Sequence, residues 1–323
     1  LLLCKRLGFF ALTPEIKVLL NDMTEVLDEF GFDFTLFLRN LTYLKQDLLH
    51  TDSNTLKKEG LHKDRDELIN KYSSEIMKYS FEYETKVKKL KPRVEESGLE
   101  TLLKLAKENP YMLYSIGGDP EYIYFQDKLS KAYKQFLEKN PDKEKYNTNK
   151  KLKLRSFIEM FIIRHIKENE SLVKEIIETN NNNEYISYLN EVESKLKDIF
   201  EFPLDEGVFK NKLQEQFLRE ISFFEELKKD SSNNKENKIE EDVALKLEAF
   251  KTKTMFQFNP KFALRRHVMQ RAIKDSEKGE YKSLKELNDI LIEPYEEHLE
   301  VKFEGGYDPD LNLCDGICLS CSS

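Results

Sequence analysis

Apolar residues recur at steps of three and four along most of this chain, which is the period of an amphipathic helix. The opening block shows the pattern most clearly, in Ile16, Leu19, Leu20, Met23, Leu27 and Phe30. Thr13-Pro14 before this face has the residues of a helix start, and Gly31 after it has the residue of a helix stop. Asp33 is then predicted to cap a second helix, whose apolar positions include Phe34, Phe37, Leu38 and Leu41.

The same period predicts further helices over most of the remaining sequence. They cover residues 61–91 and 99–107, and then 122–138, 152–178, 185–200, 208–228 and 239–256. Near the end, Asn259-Pro260 is predicted to start a helix, and Ser283 with Glu286 has the form of a capping box that starts another. The sequence therefore predicts a mainly α fold.

The segments between these helices are polar and rich in Asn and Lys. Residues 140–149, 180–183 and 231–237 are interpreted as surface insertions or linkers without core residues. Gly117-Gly118-Asp119-Pro120 predicts a turn, because a phosphate-binding loop would need a strand before it. After Pro294, Gly305-Gly306 and Asp308-Pro309 predict an extended C-terminal tail.

Charge narrows the classes of partner. The 323 residues are 35% charged and carry a net charge of −8, which opposes general binding to nucleic acid or an anionic membrane. Basic pairs such as Lys88-Lys89 and Lys150-Lys151 are interpreted as solvated helix faces. No apolar run approaches the roughly 20 residues of a membrane span. We therefore predict no nucleic-acid partner and no membrane partner. Because the chain opens with Leu1 and not Met, we expect it to start inside a longer reading frame.

Three of the four cysteines crowd into the last ten residues. Cys314, Cys318 and Cys321 have a spacing that radical enzymes use to hold an iron–sulfur cluster, although the rest of such a site does not follow here. A zinc site would need a fourth ligand. A thiol–disulfide role needs only a second sulfur within reach.

Other chemistry-bearing residues show no catalytic pattern. The five histidines, at positions 50, 62, 165, 267 and 298, are scattered and are interpreted as surface or cap residues. The 60 carboxylates are interpreted as an acidic helical surface. No Walker loop, nucleophile elbow or zinc-protease motif is present. We therefore predict no catalytic, cofactor-binding or metal-ligating residue in this chain.

Three blocks of sequence carry a family resemblance. The first contains Lys5-Arg6-Leu7-Gly8-Phe9, Asp33-Phe34-Thr35 and Phe37-Leu38-Arg39-Asn40-Leu41. The second runs from Asn259-Pro260-Lys261-Phe262 through Gln270-Arg271-Ala272-Ile273 to Pro294-Tyr295, and the third is the terminal Cys321-Ser322-Ser323. In order and spacing they resemble the C-terminal region of the selenoprotein O family, whose chains end in Cys-Ser-Ser or selenocysteine-Ser-Ser. Arg266 departs from the family, which often has Asn there.

The resemblance implies a protein-kinase-like fold of which this chain is the C-terminal helical part. It also implies transfer of AMP from ATP, with Mg²⁺, to hydroxyl side chains of protein substrates. The family's nucleotide- and metal-binding residues precede the matched region, so ATP and Mg²⁺ are expected to bind a missing N-terminal domain and not this chain. Cys321 resembles the family's terminal redox residue, whose expected partner lies upstream, and Cys318 is a local alternative.

From these observations we predict three sections. Residues 1–44 continue from the missing kinase-like domain, residues 45–240 form a helical region with polar insertions, and residues 241–323 hold the last helices and the Cys-containing tail. The resemblance also suggests a mitochondrial location. A non-catalytic helical interaction or regulatory module is the alternative function.

Overall fold

A computed structural model describes residues 2–50, 62–178, 206–233 and 239–296, and these parts of the chain hold α-helices without strands. The first helices are α1 (Leu2–Arg6), α2 (Pro14–Phe30), α3 (Phe34–His50), α4 (His62–Met77), α5 (Tyr83–Leu90), α6 (Glu96–Glu108) and α7 (Pro110–Ser115). The others are α8 (Pro120–Lys139), α9 (Lys143–Glu178), α10 (Glu206–Asn233), α11 (Ile239–Phe258), α12 (Arg266–Glu277) and α13 (Lys282–Ile292). The predicted mainly α character is confirmed.

The predicted boundaries of α2 and α3 are confirmed by their caps. The Thr13 hydroxyl accepts a hydrogen bond from the Ile16 amide at 3.3 Å, and an Asp33 carboxylate oxygen accepts one from the Leu36 amide at 2.9 Å. Gly31 ends α2 in the left-handed region, with φ of 62°. A Cβ at Gly31 would lie 2.0 Å from the ring of Phe81, so this corner requires glycine for space as well as for conformation.

The main core joins the first four helices to α8, α9 and α11. Phe30, Phe37, Phe157 and Phe161 are each at most 3% exposed and lie within it. Each buried side chain of this size contributes about 1.5–3 kcal/mol relative to an exposed one. Three smaller clusters complete the described part: α9 with α10 and α11, α6 with α7 and α8, and α12 with α13. The predicted division at residues 44 and 240 stays a prediction.

The predicted linker at residues 140–149 is wrong for most of its length, because α9 already begins at Lys143. Tyr146 is fully buried, and its hydroxyl donates to the Phe81 carbonyl at 3.2 Å. Lys150 is also buried, so its interpretation as a solvated residue is wrong, whereas Lys151 is exposed. This part of the helix was not predicted because its residues are polar. In the structure, the Asn149 and Lys150 side chains bind the backbone carbonyls of Lys139 and Phe81.

The predicted helix start at Asn259-Pro260 is wrong, since α12 begins only at Arg266. The Asn259 side chain donates to the Arg6 carbonyl at 2.6 Å and to the Thr42 hydroxyl at 2.9 Å instead of capping a helix. The amides of Lys261 and Phe262 both donate to the Pro294 carbonyl. Residues 259–265 are therefore a linker held by tertiary contacts, and we call them the linker below.

The helices after the linker differ from prediction in detail. The capping box is wrong, because α13 begins at Lys282 and the Ser283 hydroxyl donates to Asp275 at 2.7 Å. Leu264, Ile273 and Leu284 are exposed, so the apolar faces of α12 and α13 are narrower than predicted.

The predicted helix at 61–91 is two helices, because the backbone at Tyr79 and Phe81 binds the α2–α3 corner. The predicted linker at 231–237 is wrong at residues 231–233, which belong to α10, and the rest of it lies outside the described residues. The predicted helix at 185–200, the linker at 180–183 and the C-terminal tail also lie outside them.

Candidate functional site: a buried polar network between distant segments

Residues 7–12, which follow α1, lie beside α9, α10 and α11 and are held there by buried charged side chains. Lys5 and Glu220 form an ion pair at 2.7 Å with both side chains only 1% exposed. The Lys5 ammonium also donates to the Phe10 carbonyl at 2.8 Å. Gln216 binds the second Glu220 oxygen at 3.0 Å and the Thr254 hydroxyl at 3.1 Å. The pair is thus surrounded by further hydrogen bonds, which a buried ion pair needs to offset the loss of hydration.

A second chain of polar contacts runs beside the first. Glu248 on α11 binds both Lys45 and the amide of Asn169, and the Asn169 carbonyl oxygen in turn accepts from Lys251. Lys251 also pairs with Glu168 at 2.6 Å. Glu168 accepts a hydrogen bond from the Phe10 amide at 3.0 Å. This series of contacts links α3 to residues 7–12 through α9 and α11. We call the residues of both sets of contacts the buried network: Lys5, Lys45, Glu168, Asn169, Gln216, Glu220, Glu248, Lys251 and Thr254.

The buried network is balanced in formal charge, with three lysines and three glutamates. Desolvation by burial lowers the pKa of Lys45, and the neighbouring Glu248 carboxylate opposes that change. Removing one member would leave its partner charged and buried without an opposite charge, which strongly lowers the stability of the fold. The arrangement favours a single packing of α3, α9 and α11.

His165 adds a neutral polar group to the same region, and its prediction as a surface residue is wrong because it is 1% exposed. Its Nε2 lies 2.8 Å from the Leu7 carbonyl, which can only accept, so Nε2 carries the proton and Nδ1 does not. The ring stacks on Phe9 with centroids 4.1 Å apart. Burial lowers the pKa of His165 well below its usual value, and the nearby Lys45 and Lys251 act in the same direction.

The middle of α1 and the turn that follows it are also fixed. Cys4 is fully buried, and burial raises the pKa of its thiol to about 12. Gly8 has φ of 75°, and a Cβ there would lie 2.8 Å from Cγ of Met255. The turn after α1 therefore requires glycine.

The linker is docked on α3 by a second set of contacts. Arg39 donates to the Asn259 carbonyl at 2.8 Å and to the Tyr295 carbonyl at 3.2 Å. Its guanidinium lies 4.6 Å from the ring centroid of Phe256. Arg265 forms two hydrogen bonds with Asp33, at 2.5 and 2.9 Å. We call these contacts the linker junction.

An open cleft of about 430 Å³ borders the buried network between α10 and α11. Gln216 and Thr254 reach it from the network, while Arg219, Glu226 and Lys253 give its surface charges of both signs. Its apolar wall includes Phe223 and Phe250, which stack with centroids 4.2 Å apart. Because the charges that line this cleft are of both signs, they do not indicate one class of ligand.

The described residues offer no group of three His, Cys, Asp or Glu side chains that could hold a metal ion. We assign no chemical step to these residues. Among the same residues, no helix has the length and apolar character needed to cross a membrane.

The predicted redox residues Cys318 and Cys321 lie outside the described residues, as does Cys314. The buried network was missed from the sequence, although a signal exists. Lys45 and Lys251 occupy helix positions that periodicity places on apolar faces, beside Leu41 and Leu48 in the first case and Leu247 and Met255 in the second. A charge on such a face indicates a buried partner.

One of three comparisons with known proteins found a relative. Over 75 residues the chain is 33% identical to the protein nucleotidyltransferase YdiU of Aliivibrio salmonicida (strain LFI1238), a selenoprotein O family protein. This chain is similar to the selenoprotein O family. The match covers 23% of this chain and 15% of that relative's length, so the chain spans a small part of it. No family model matches the chain, and no solved structure matches it.

Proposed function

We propose that residues 1–323 are the C-terminal helical part of a selenoprotein O-like protein adenylyltransferase. In this proposal a kinase-like domain before Leu1 binds ATP and Mg²⁺ and transfers AMP to Ser, Thr or Tyr hydroxyls of protein substrates. The observation that carries the proposal is the linker junction. It joins two of the sequence blocks that resemble the family, around Asp33 and Arg39 in one and around Asn259 and Arg265 in the other.

This junction supports the proposal because the two blocks are far apart in sequence. Arg265 and Asp33 are 232 residues apart, and Arg39 and Asn259 are 220 apart. Both segments resemble the same family, and the contacts between them give a structural reason why their residues occur together. The YdiU match supports a nucleotidyltransferase independently of this packing.

The role of this part of the protein is positioning. Nucleotidyl transfer depends on holding donor, acceptor and metal in place, so a rigid support matters. The buried network fixes α1 and residues 7–12 against α9, α10 and α11. In this proposal a kinase-like domain precedes α1, and the buried network would support that domain through α1.

The redox role of Cys321 belongs to the same proposal. Oxidation by a disulfide such as oxidised glutathione would join Cys321 to Cys318 or to an upstream thiol and release two reduced glutathione molecules. The bond would tether the tail and make AMP transfer depend on reductant. In the intact protein, reductant should change the activity of the wild type and leave the Cys321→Ser variant unchanged. A wild type indifferent to reductant would contradict this role.

The proposal is tested by AMP transfer from ATP labelled at the α-phosphate, which releases unlabelled pyrophosphate, comparing the native gene product with residues 1–323 alone. We expect transfer by the native product and neither transfer nor Mg·ATP binding by residues 1–323. Tight Mg·ATP binding by residues 1–323 would show that a nucleotide site lies within this chain.

A non-catalytic interaction or regulatory module is the second proposal. It needs no nucleotide site, and the helices of the described residues are compatible with it as they are with the first proposal. A native product without a kinase-like segment, unable to transfer AMP, would support it. A mitochondrial location is part of the first proposal only, and fractionation of cells tests it.

A further inference from the structure

Residues 109–118 stand out because they contain no Asp, Glu, Lys or Arg, although 35% of the chain is charged. They form the short helix α7 and the glycine turn before α8. Only Leu113 of α7 is buried, in a small cluster with Leu99, Ala106 and Ile123. The large apolar side chains around it are exposed in the described part of one copy.

Seven large apolar residues around this turn are exposed. We call Tyr111, Met112, Tyr114, Ile116, Tyr122, Tyr124 and Phe125 the aromatic patch. Tyr111 is 85% exposed and Ile116 is 63% exposed. Exposed apolar residues are ordinary when scattered, whereas seven within fifteen residues mark a contact surface.

The fold brings the two halves of the aromatic patch together. The Gly118 amide donates to the Leu113 carbonyl at 2.9 Å, which turns the chain back at the end of α7. A Cβ on Gly118 would lie 2.5 Å from Cδ1 of Leu113, so α8 begins in close contact with α7. Tyr122 and Phe125 lie three residues apart on the first turns of α8, on either side of buried Ile123.

The area of the aromatic patch matches one side of a stable interface. The exposed fractions of its seven residues add up to about four whole residues, which at about 200 Å² each is roughly 800 Å². One partner contributes about 800 Å² to a standard protein–protein interface. The largest apolar patch on a typical monomer is about 300–600 Å².

The charge of the patch indicates the kind of partner. An uncharged surface gives no attraction to nucleic acid or to an anionic membrane, and the net charge of −8 opposes both. Its border carries both signs: Lys107 and Glu108 are exposed before it, Asp119 and Glu121 are exposed between its two halves, and Lys128 is exposed after its second half. Two copies related by a two-fold axis can therefore join these surfaces without placing like charges together.

We infer that the aromatic patch is an interface at which two copies of this chain associate. This inference is independent of the proposed nucleotidyl transfer, since it rests on the surface of α7 and α8 alone. Tyrosine-rich, uncharged centres are typical of such interfaces.

The test is sedimentation velocity of residues 1–323 over a range of protein concentrations. We expect a concentration-dependent dimer of the 38.3 kDa chain. Changing Tyr111→Glu together with Ile116→Glu should raise the dimer dissociation constant at least about tenfold, because like charges would face each other. The matched control, Leu152→Glu with Ile292→Glu, adds the same charge at positions 60% and 69% exposed and should leave association unchanged.

Circular dichroism and thermal unfolding should be the same for both double variants and the wild type, since all four positions are exposed. The inference is overturned by a wild type that stays monomeric, or by a dimer that the patch variant and the control variant affect equally. A monomer that binds neutral phosphatidylcholine vesicles through Tyr111 would overturn it in favour of a lipid partner.

Discussion

Arg265 and Asp33 form a two-pronged ion pair, with Nη1 2.5 Å from Oδ2 and Nη2 2.9 Å from Oδ1, across 232 residues of sequence. The Asp33 side chain is 10% exposed and that of Arg265 is 17% exposed. Asp33 also caps α3. One carboxylate therefore fixes both the start of a helix and the docking of the linker.

Replacing Asp33→Ala should lower the free energy of unfolding by about 3–5 kcal/mol, because the Arg265 guanidinium would remain largely buried without its partner. Asp33→Asn keeps a cap and should cost less. Urea unfolding measures both. As a control, Lys131→Ala breaks an exposed pair with Asp127 and should cost less than about 1 kcal/mol. Equal costs for Asp33→Ala and Lys131→Ala would show that the junction is not part of the stable fold.

We expect the effects of substitutions at Lys5 and Glu220 on the free energy of unfolding to be strongly coupled. Lys5→Met or Glu220→Leu alone should lower the free energy of unfolding by about 3–5 kcal/mol, since each leaves a buried charge without its partner. The double variant should be much closer to the wild type than the sum of the two losses. A double-mutant cycle measured in urea checks this, and additive losses would contradict the burial of both charges.

His165 predicts loss of stability in acid. Its folded pKa is depressed, so below about pH 6.5 the unfolded chain binds a proton that the folded chain does not. Stability is therefore fully present above that pH and falls as the pH drops, by up to about 1.4 kcal/mol per unit from this group. The free energy of unfolding, measured in urea between pH 6.5 and 5, should fall less steeply with falling pH for the His165→Gln variant than for the wild type. The exposed His50→Gln variant should retain it.

Lys150 predicts a change at alkaline pH. Burial lowers its pKa to about 8, while its ammonium binds the Ser80 hydroxyl and the Phe81 carbonyl. Between about pH 8 and 10.5 the unfolded chain holds the extra proton, so this group makes the fold more stable as the pH rises through that window. The stability difference between wild type and Lys150→Met should therefore shift in favour of the wild type from pH 8 to 10. A difference independent of pH would contradict the depressed pKa.

Cys4 should be inert in the folded protein, because its thiol is buried and its pKa is raised to about 12. Titration of the reduced protein with a chromogenic disulfide should give the same fast amplitude for wild type and Cys4→Ala. One further thiol should react in the wild type only after unfolding. Fast reaction at Cys4 in the native protein would show that α1 opens.

The sequence predicted the parts of the fold that local chemistry decides. Thr13, Gly31 and Asp33 act where the chain turns, and their capping hydrogen bonds join residues three or four positions apart. Asn259 and Ser283 have the same chemistry but bind distant groups, so local rules placed two helix starts wrongly. Lys5 and Glu220 lie 215 residues apart. Their pairing depends on how α1 meets α10, which periodicity does not specify.

The mass of the native protein tests the central proposal most directly. An antibody against residues around Tyr295 would capture the gene product from cells, and intact-protein mass spectrometry would measure it. We predict a product larger than 38.3 kDa by a kinase-like domain. A native product of 38.3 kDa would contradict the proposal that this chain is the C-terminal part of a nucleotidyltransferase.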